Sequence, residues 1–143
     1  MKSIFYLFLI LLSACETVDK RLKIENIYSN EIVLRFGYLE NNKIRGSMAG
    51  ERKILPGEIK TIEKLYSWES EFKDINYNSP LYIFVFNGIN KESDNLRQMT
   101  DSLIIKGYFH YATFNIKQLD SINWIVVYPN SRFKSGFKLK AVL

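Results

Sequence analysis

The stretch Leu81-Tyr82-Ile83-Phe84-Val85-Phe86 decides how this chain is built, because it has no polar member. A short apolar run rich in aromatic and β-branched residues is the pattern of a central strand covered on both faces. Working outward from it, the signals are mostly of period two. Leu22 and Ile24 alternate with Lys23 and Glu25, and Ile32, Leu34, Phe36 and Tyr38 share a face beyond Ser29-Asn30. This pattern predicts a first hairpin with one buried face. Asn41-Asn42 is a turn signal. Pro56-Gly57 is another, separating Ile54-Leu55 from Ile59, since proline sets φ and glycine accepts positive φ.

C-terminal to the apolar run the pattern is more mixed. Asn90 to Ser102 is polar, with Leu96, Met99 and Leu103 at helix-like offsets, and reads as a short surface helix or a loop. Asn115-Ile116-Lys117-Gln118 has the spacing of a capping box and predicts a two-turn helix to about Ile122, with Ile116, Leu119 and Ile122 on one stripe. Trp124 to Tyr128 reads as a strand closed by Pro129, which cannot donate to a ladder. Phe137, Leu139 and Ala141 alternate with Lys138 and Lys140, the pattern of an edge strand guarded by lysines. The expected fold is mainly β: an antiparallel β-sandwich with one or two short helices, forming a single domain over residues 22–143.

The N-terminus tells where such a domain resides. Lys2 precedes the apolar run Ile4 to Leu12, and Leu12-Ser13-Ala14-Cys15 follows directly. This segment resembles the signal peptide of bacterial lipoproteins, cleaved before Cys15. A membrane span needs roughly 20 apolar residues, and the charges Asp19, Lys20 and Arg21 end this run too early. Cleavage by an ordinary secretory route would place bulky Leu12 where a small residue is required. The resemblance implies removal of residues 1–14, a lipidated Cys15, and residues 15–21 as lipidated cysteine and tether. Glu16 stands where an aspartate favours inner-membrane retention in enteric bacteria, so the outer membrane is the expected destination.

Cys15 is the only cysteine, so once lipidated it leaves no thiol for a disulfide, a nucleophile or a metal. Lys2 is the one basic residue removed, so 20 basic residues become 19 against 15 acidic, a charge of +4. With 47% apolar and 15% aromatic residues, the chain has the composition of a packed domain and not of a disordered one.

The run Tyr111 to Pro129 carries a second resemblance. Asn115, Gln118, Leu119, Asn123, Trp124, Tyr128 and Pro129 are similar to the C-terminal signature of small Bacteroidota lipoproteins of unknown function, in which a tyrosine precedes a capped helix, an Asn-Trp pair and a final Tyr-Pro. The upstream order is similar too: an early strand over Asn26 to Phe36, the Pro56-Gly57 turn, Trp68 midway and the apolar strand. Ala112 stands where that family tends to have tyrosine, Tyr111 lies one position earlier, and the tail Ser131 to Leu143 runs past the usual end. The resemblance implies location and fold and supplies no activity.

Candidate chemistry is sparse. His110, the only histidine, lies among Tyr108, Phe109 and Tyr111 and reads as a packed or edge residue. No Gly-x-Ser-x-Gly nucleophile elbow occurs. Glu69 and Glu71 would share a strand face, whereas glycosidase pairs come from separate elements across a cleft. Gly46 to Gly50 lacks the lysine and threonine of a phosphate loop and reads as a flexible loop. Arg132, Lys134, Lys138 and Lys140, interleaved with Phe133 and Phe137, form a candidate contact for anionic lipid or polysaccharide near the anchor; alternation alone also explains them as a solvated edge. No cofactor, metal or nucleic-acid partner is expected. The expected role is noncatalytic, a structural or binding component of the cell envelope, with a small envelope-glycan hydrolase or a lipoprotein immunity or inhibitor protein as alternatives.

Overall fold

A computed structural model describes residues 18–45, 52–74, 79–89, 95–139 and 141–142. Cys15, Lys140 and the Gly46–Gly50 loop lie outside the described residues. In chain order the elements are β1 (Val18–Asp19), β2 (Lys23–Asn26), β3 (Ile32–Glu40), β4 (Lys43–Arg45), β5 (Arg52–Ile54), β6 (Ile59–Thr61), β7 (Lys64–Leu65), α1 (Trp68–Asp74), β8 (Leu81–Asn87), α2 (Leu96–Lys106), β9 (His110–Phe114), α3 (Ile116–Ser121), β10 (Ile125–Tyr128), β11 (Lys134–Ser135) and β12 (Ala141–Val142).

The apolar run is β8, and it sits inside the larger sheet. β3 pairs with it antiparallel, Phe36 opposite Ile83, and β9 flanks its other side, Ala112 opposite Ile83. β11 borders β9. On the far side of β3, β5 pairs with its start and β4 with its end, and β12 joins β4 in parallel. The β3–β4 hairpin closes through Asn41 and Asn42, both at positive φ (50° and 63°), as a two-residue turn of this hand requires. A smaller sheet, β10-β2-β6, packs over one face of the larger, and β1 with β7 forms a short separate ladder.

The two faces of β8 enter two cores. Leu81, Ile83 and Val85 join Ile32, Leu34, Phe36 and Phe114 beneath Ile24, Val126 and Tyr128 of the small sheet, with Leu119, Trp68 and Trp124 from the helices and turns. Phe84 and Phe86 point the other way, with Val33 and Phe109, under Ile104 of α2. The architecture is therefore a mainly β sandwich with short helices, and α2 covers the outer face of the larger sheet. Each fully buried large apolar side chain contributes about 1.5–3 kcal/mol, so the continuous apolarity of β8 follows from having a layer on either side.

Several local expectations are corrected. β2 does not form a hairpin with β3: it lies in the small sheet between β10 and β6, because a period-two pattern fixes faces and not partners. Buried Asn26 holds the crossover, its Nδ2 donating to the carbonyls of Asn30 (3.0 Å) and Ile54 (3.1 Å) and its Oδ1 accepting from the Tyr28 amide (3.0 Å). Nor does β3 have only one buried face, since Val33 and Arg35 are buried beneath α2. Glu69 and Glu71 lie on helix α1, whose first turn is fastened by the Ser67 hydroxyl accepting from the Ser70 amide (3.2 Å) and Asp19 accepting from the Trp68 amide (3.1 Å). α2 runs on to Lys106 and ends at Gly107, whose φ of 78° forms a left-handed cap. In the tail, Leu139 is buried and Lys138 exposed as the alternation implies, but residues 136–139 form no ladder, and the strands are β11 and β12 instead.

The expected tether is also shorter. Val18 pairs with Leu65 and Asp19 with Lys64, and Arg21 donates to Asp19 (2.6 Å) and Glu69 (2.5 Å), so residues 18–21 belong to the folded domain.

Candidate functional site

The small sheet gives the domain two distinct ends. β2 and β10 run parallel, with Lys23 beside Ile125 at one end and Asn26 beside Tyr128 at the other, about 10 Å along the strands. At the starting end lie Arg21, whose guanidinium sits 4.2 Å from the Trp124 ring centroid, and the β1–β7 ladder. At the finishing end the Tyr128 side chain spans the gap between the sheets.

There Tyr128 meets the larger sheet through polar groups. Its hydroxyl lies 2.7 Å from His110 Nδ1 and accepts from Asn87 Nδ2 (2.8 Å), with Asn87 Oδ1 at 3.1 Å. Register explains the convergence: Val85 is opposite His110, so Asn87, two residues on, shares that face, and Ser135 lies directly across β9 from His110. Asn87, His110 and Ser135, together with Tyr108, line an open cleft of about 300 Å³, and Tyr128 lies buried behind it. Tyr108 is 70% exposed, unusual for an aromatic residue beside a packed core.

Burial raises the Tyr128 pKa, the Asn87 hydrogen bond only partly opposing it, so the phenol stays protonated at neutral pH. Its single proton goes either to His110 Nδ1 or to Asn87 Oδ1. In the first arrangement His110 offers the cleft an Nε2–H donor and Asn87 a free acceptor; in the second, neutral His110 offers Nε2 as an acceptor. Among the described residues no carboxylate lines the cleft to orient the imidazole as a general base. The arrangement suits holding an uncharged polar group.

One close backbone approach shapes this end. Gly136 lies so close to β9 that a Cβ there would meet the carbonyl oxygens of Gly107 and Phe109 at 2.7 Å. The Gly136 amide donates to the same Phe109 carbonyl (2.6 Å), which holds the end of β11 against the cleft.

The other candidates fall as follows. Asn115 and Gln118 form the expected capping box, each side chain accepting from the other's amide (both 2.9 Å), and Leu119 is buried beneath α3. Asn123 and Trp124 both have positive φ (52° and 60°) and reverse the chain from α3 into β10. Trp124 is held by its Nε1 donating to Asp120 (2.8 Å) and its amide donating to the Leu119 carbonyl (2.8 Å). Pro129 follows Tyr128 through a cis peptide.

Glu69 is paired with Arg21 and Glu71 with Lys64, and the two do not face each other across a cleft. Arg132, Lys134 and Lys138 are exposed and make no ion pair among the described residues; Arg132 lies 5.6 Å from the Phe114 ring centroid. Lys134 neighbours cleft-lining Ser135 and so borders the His110 end, whereas Arg132 reaches the other end of β9. Among the described residues no three His, Cys, Asp or Glu side chains converge as metal ligands, and no helix is long and apolar enough to cross a membrane.

The Asn87–Tyr128–His110 constellation escaped the sequence, because its members lie 41 and 18 residues apart and no local spacing joins them. Comparison with known proteins adds no name to this geometry: no family model, no curated protein and no solved structure matches the chain.

Proposed function

We propose that the chain is a lipid-anchored protein of the cell envelope with a noncatalytic binding role, held at the outer membrane through Cys15. The observation that carries this reading is the placement of the two ends. The folded domain is already pinned at Val18, three residues beyond Cys15, whereas the cleft lined by His110, Asn87 and Tyr108 opens at the opposite end of β2 and β10. A domain tethered in this way presents the cleft away from the bilayer. The lipoprotein-like Leu12-Ser13-Ala14-Cys15 and the resemblance of Tyr111 to Pro129 to small Bacteroidota lipoproteins support the same reading.

Metabolic labelling with a fatty-acid analogue, followed by membrane fractionation, tests the anchor. The wild-type chain is expected to take up label and sediment with membranes, and Cys15→Ala to do neither; a Cys15→Ala variant that stays equally membrane-bound refutes it. For the binding role, a photo-crosslinker at Tyr108 in intact cells is expected to capture a discrete partner that a crosslinker at exposed Ile105 of α2 does not.

A further inference from the structure

The β1–β7 end exposes apolar surface that the fold does not use. Val18 is 40% exposed, Leu65 55% and Tyr66 61%, and they are neighbours: Val18 pairs with Leu65 and forms a bridge with Tyr66. Tyr66 has a φ of 67°, a left-handed conformation costly for an aromatic residue, and its ring nevertheless faces solvent. Charges around this edge are largely compensated. Lys20 pairs with Glu63 (2.9 Å), and Arg21 with Asp19 and Glu69.

We infer that this edge is seated in the lipid headgroup layer, with Val18, Leu65 and Tyr66 inserted at the boundary of the acyl chains. The inference rests on the proposed lipidation of Cys15. Three residues separate Cys15 from Val18, and an extended chain covers at most about 11 Å over three residues. Each headgroup layer is about 5–8 Å thick, so with the Cys15 backbone at its base even a fully extended tether lifts Val18 only about 3–6 Å beyond the layer, and any less extended one keeps it within. The surface brought there is apolar and aromatic, and tyrosine is suited to a boundary with one wet and one apolar side. With its charges paired, the edge adheres by burial of apolar surface. Contact is therefore insensitive to salt and needs no anionic lipid, in contrast to a basic patch.

The test uses the full chain, expressed as the lipoprotein and reconstituted into phosphatidylethanolamine vesicles with and without phosphatidylglycerol. If Cys15 is a thioether, an introduced cysteine is the only free thiol, so Tyr66→Cys, Leu65→Cys and Tyr108→Cys each accept one nitroxide label. Seating predicts that labels at 65 and 66 collide severalfold more with oxygen, relative to a water-soluble nickel chelate, than the label at 108 does. The ratio is expected to be unchanged by salt or phosphatidylglycerol. Labels at 65 and 66 as chelate-accessible as the one at 108, on protein that floats with the vesicles, overturn the seating and leave the anchor intact. A wild-type protein whose Cys15 reacts with thiol reagent and which does not float overturns both. The paired 65 and 66 variants keep the result readable if one of them fails to fold.

Discussion

At the scale of single residues, two positions show what stereochemistry demands here. Asn123 takes a left-handed conformation that glycine adopts freely and a β-branched residue does not. Asn123→Gly is expected to leave stability within about 0.5 kcal/mol, and Asn123→Val to lower it by about 1–2 kcal/mol, by urea denaturation. Tyr38 is buried with its hydroxyl unpaired among the described residues, and burial raises its pKa far above the ordinary value. Removing an unsatisfied hydroxyl forfeits no hydrogen bond, so Tyr38→Phe is expected to be neutral or stabilising by up to about 1 kcal/mol. The α3 cap of Asn115 and Gln118 was visible in the sequence by its spacing. That Trp124 shares the left-handed conformation was not visible, and one of its indole's partners, Arg21, lies near the other end of the chain.

Among elements, α2 and β1 are attached to the sheets by charge as well as by apolar contact. Arg35, on β3, is buried beneath α2 and donates to Thr100 (3.2 Å) and to Asp101. A double-mutant cycle of Arg35→Met and Asp101→Ala is expected to give a coupling of about 1–3 kcal/mol in unfolding free energy. β1 depends on carboxylates. Burial raises the Asp19 pKa, but hydrogen bonds from Arg21 and the Trp68 amide outweigh it, and the net shift is down; Arg21 lowers Glu69 directly. Groups with depressed folded pKa values stabilise fully above their unfolded values, 3.8 and 4.5 here, and lose that stabilisation as pH falls through the folded ones. The unfolding midpoint is thus expected to fall between about pH 5 and 3, less steeply in an Asp19→Asn, Glu69→Gln variant. Strand identity at β8 and the α3 cap were legible because each is written in contiguous residues. The partner of β2 and the buried charge of Arg35 were not, since both depend on which distant segment arrives, and α1 was hidden because the i, i+2 spacing of Glu69 and Glu71 suggests a shared strand face, which a helix does not give them.

For the whole molecule, β2 is the decisive connection. It lies between β6 and β10, so the small sheet draws its members from both ends of the chain. A chain truncated after Ser121 lacks β10 and therefore Val126 and Tyr128, which close the first core. It is expected to lose cooperative thermal unfolding altogether and not to retain a smaller folded domain, as calorimetry would show. The parallel β2–β10 pairing also sets an order of events. Residues 23–26 find their neighbours at 125–128 only after nearly the whole chain is available, and such distant pairing is slow compared with local contacts. The segment at 125–128 therefore acts as the latch that commits the chain to its folded state.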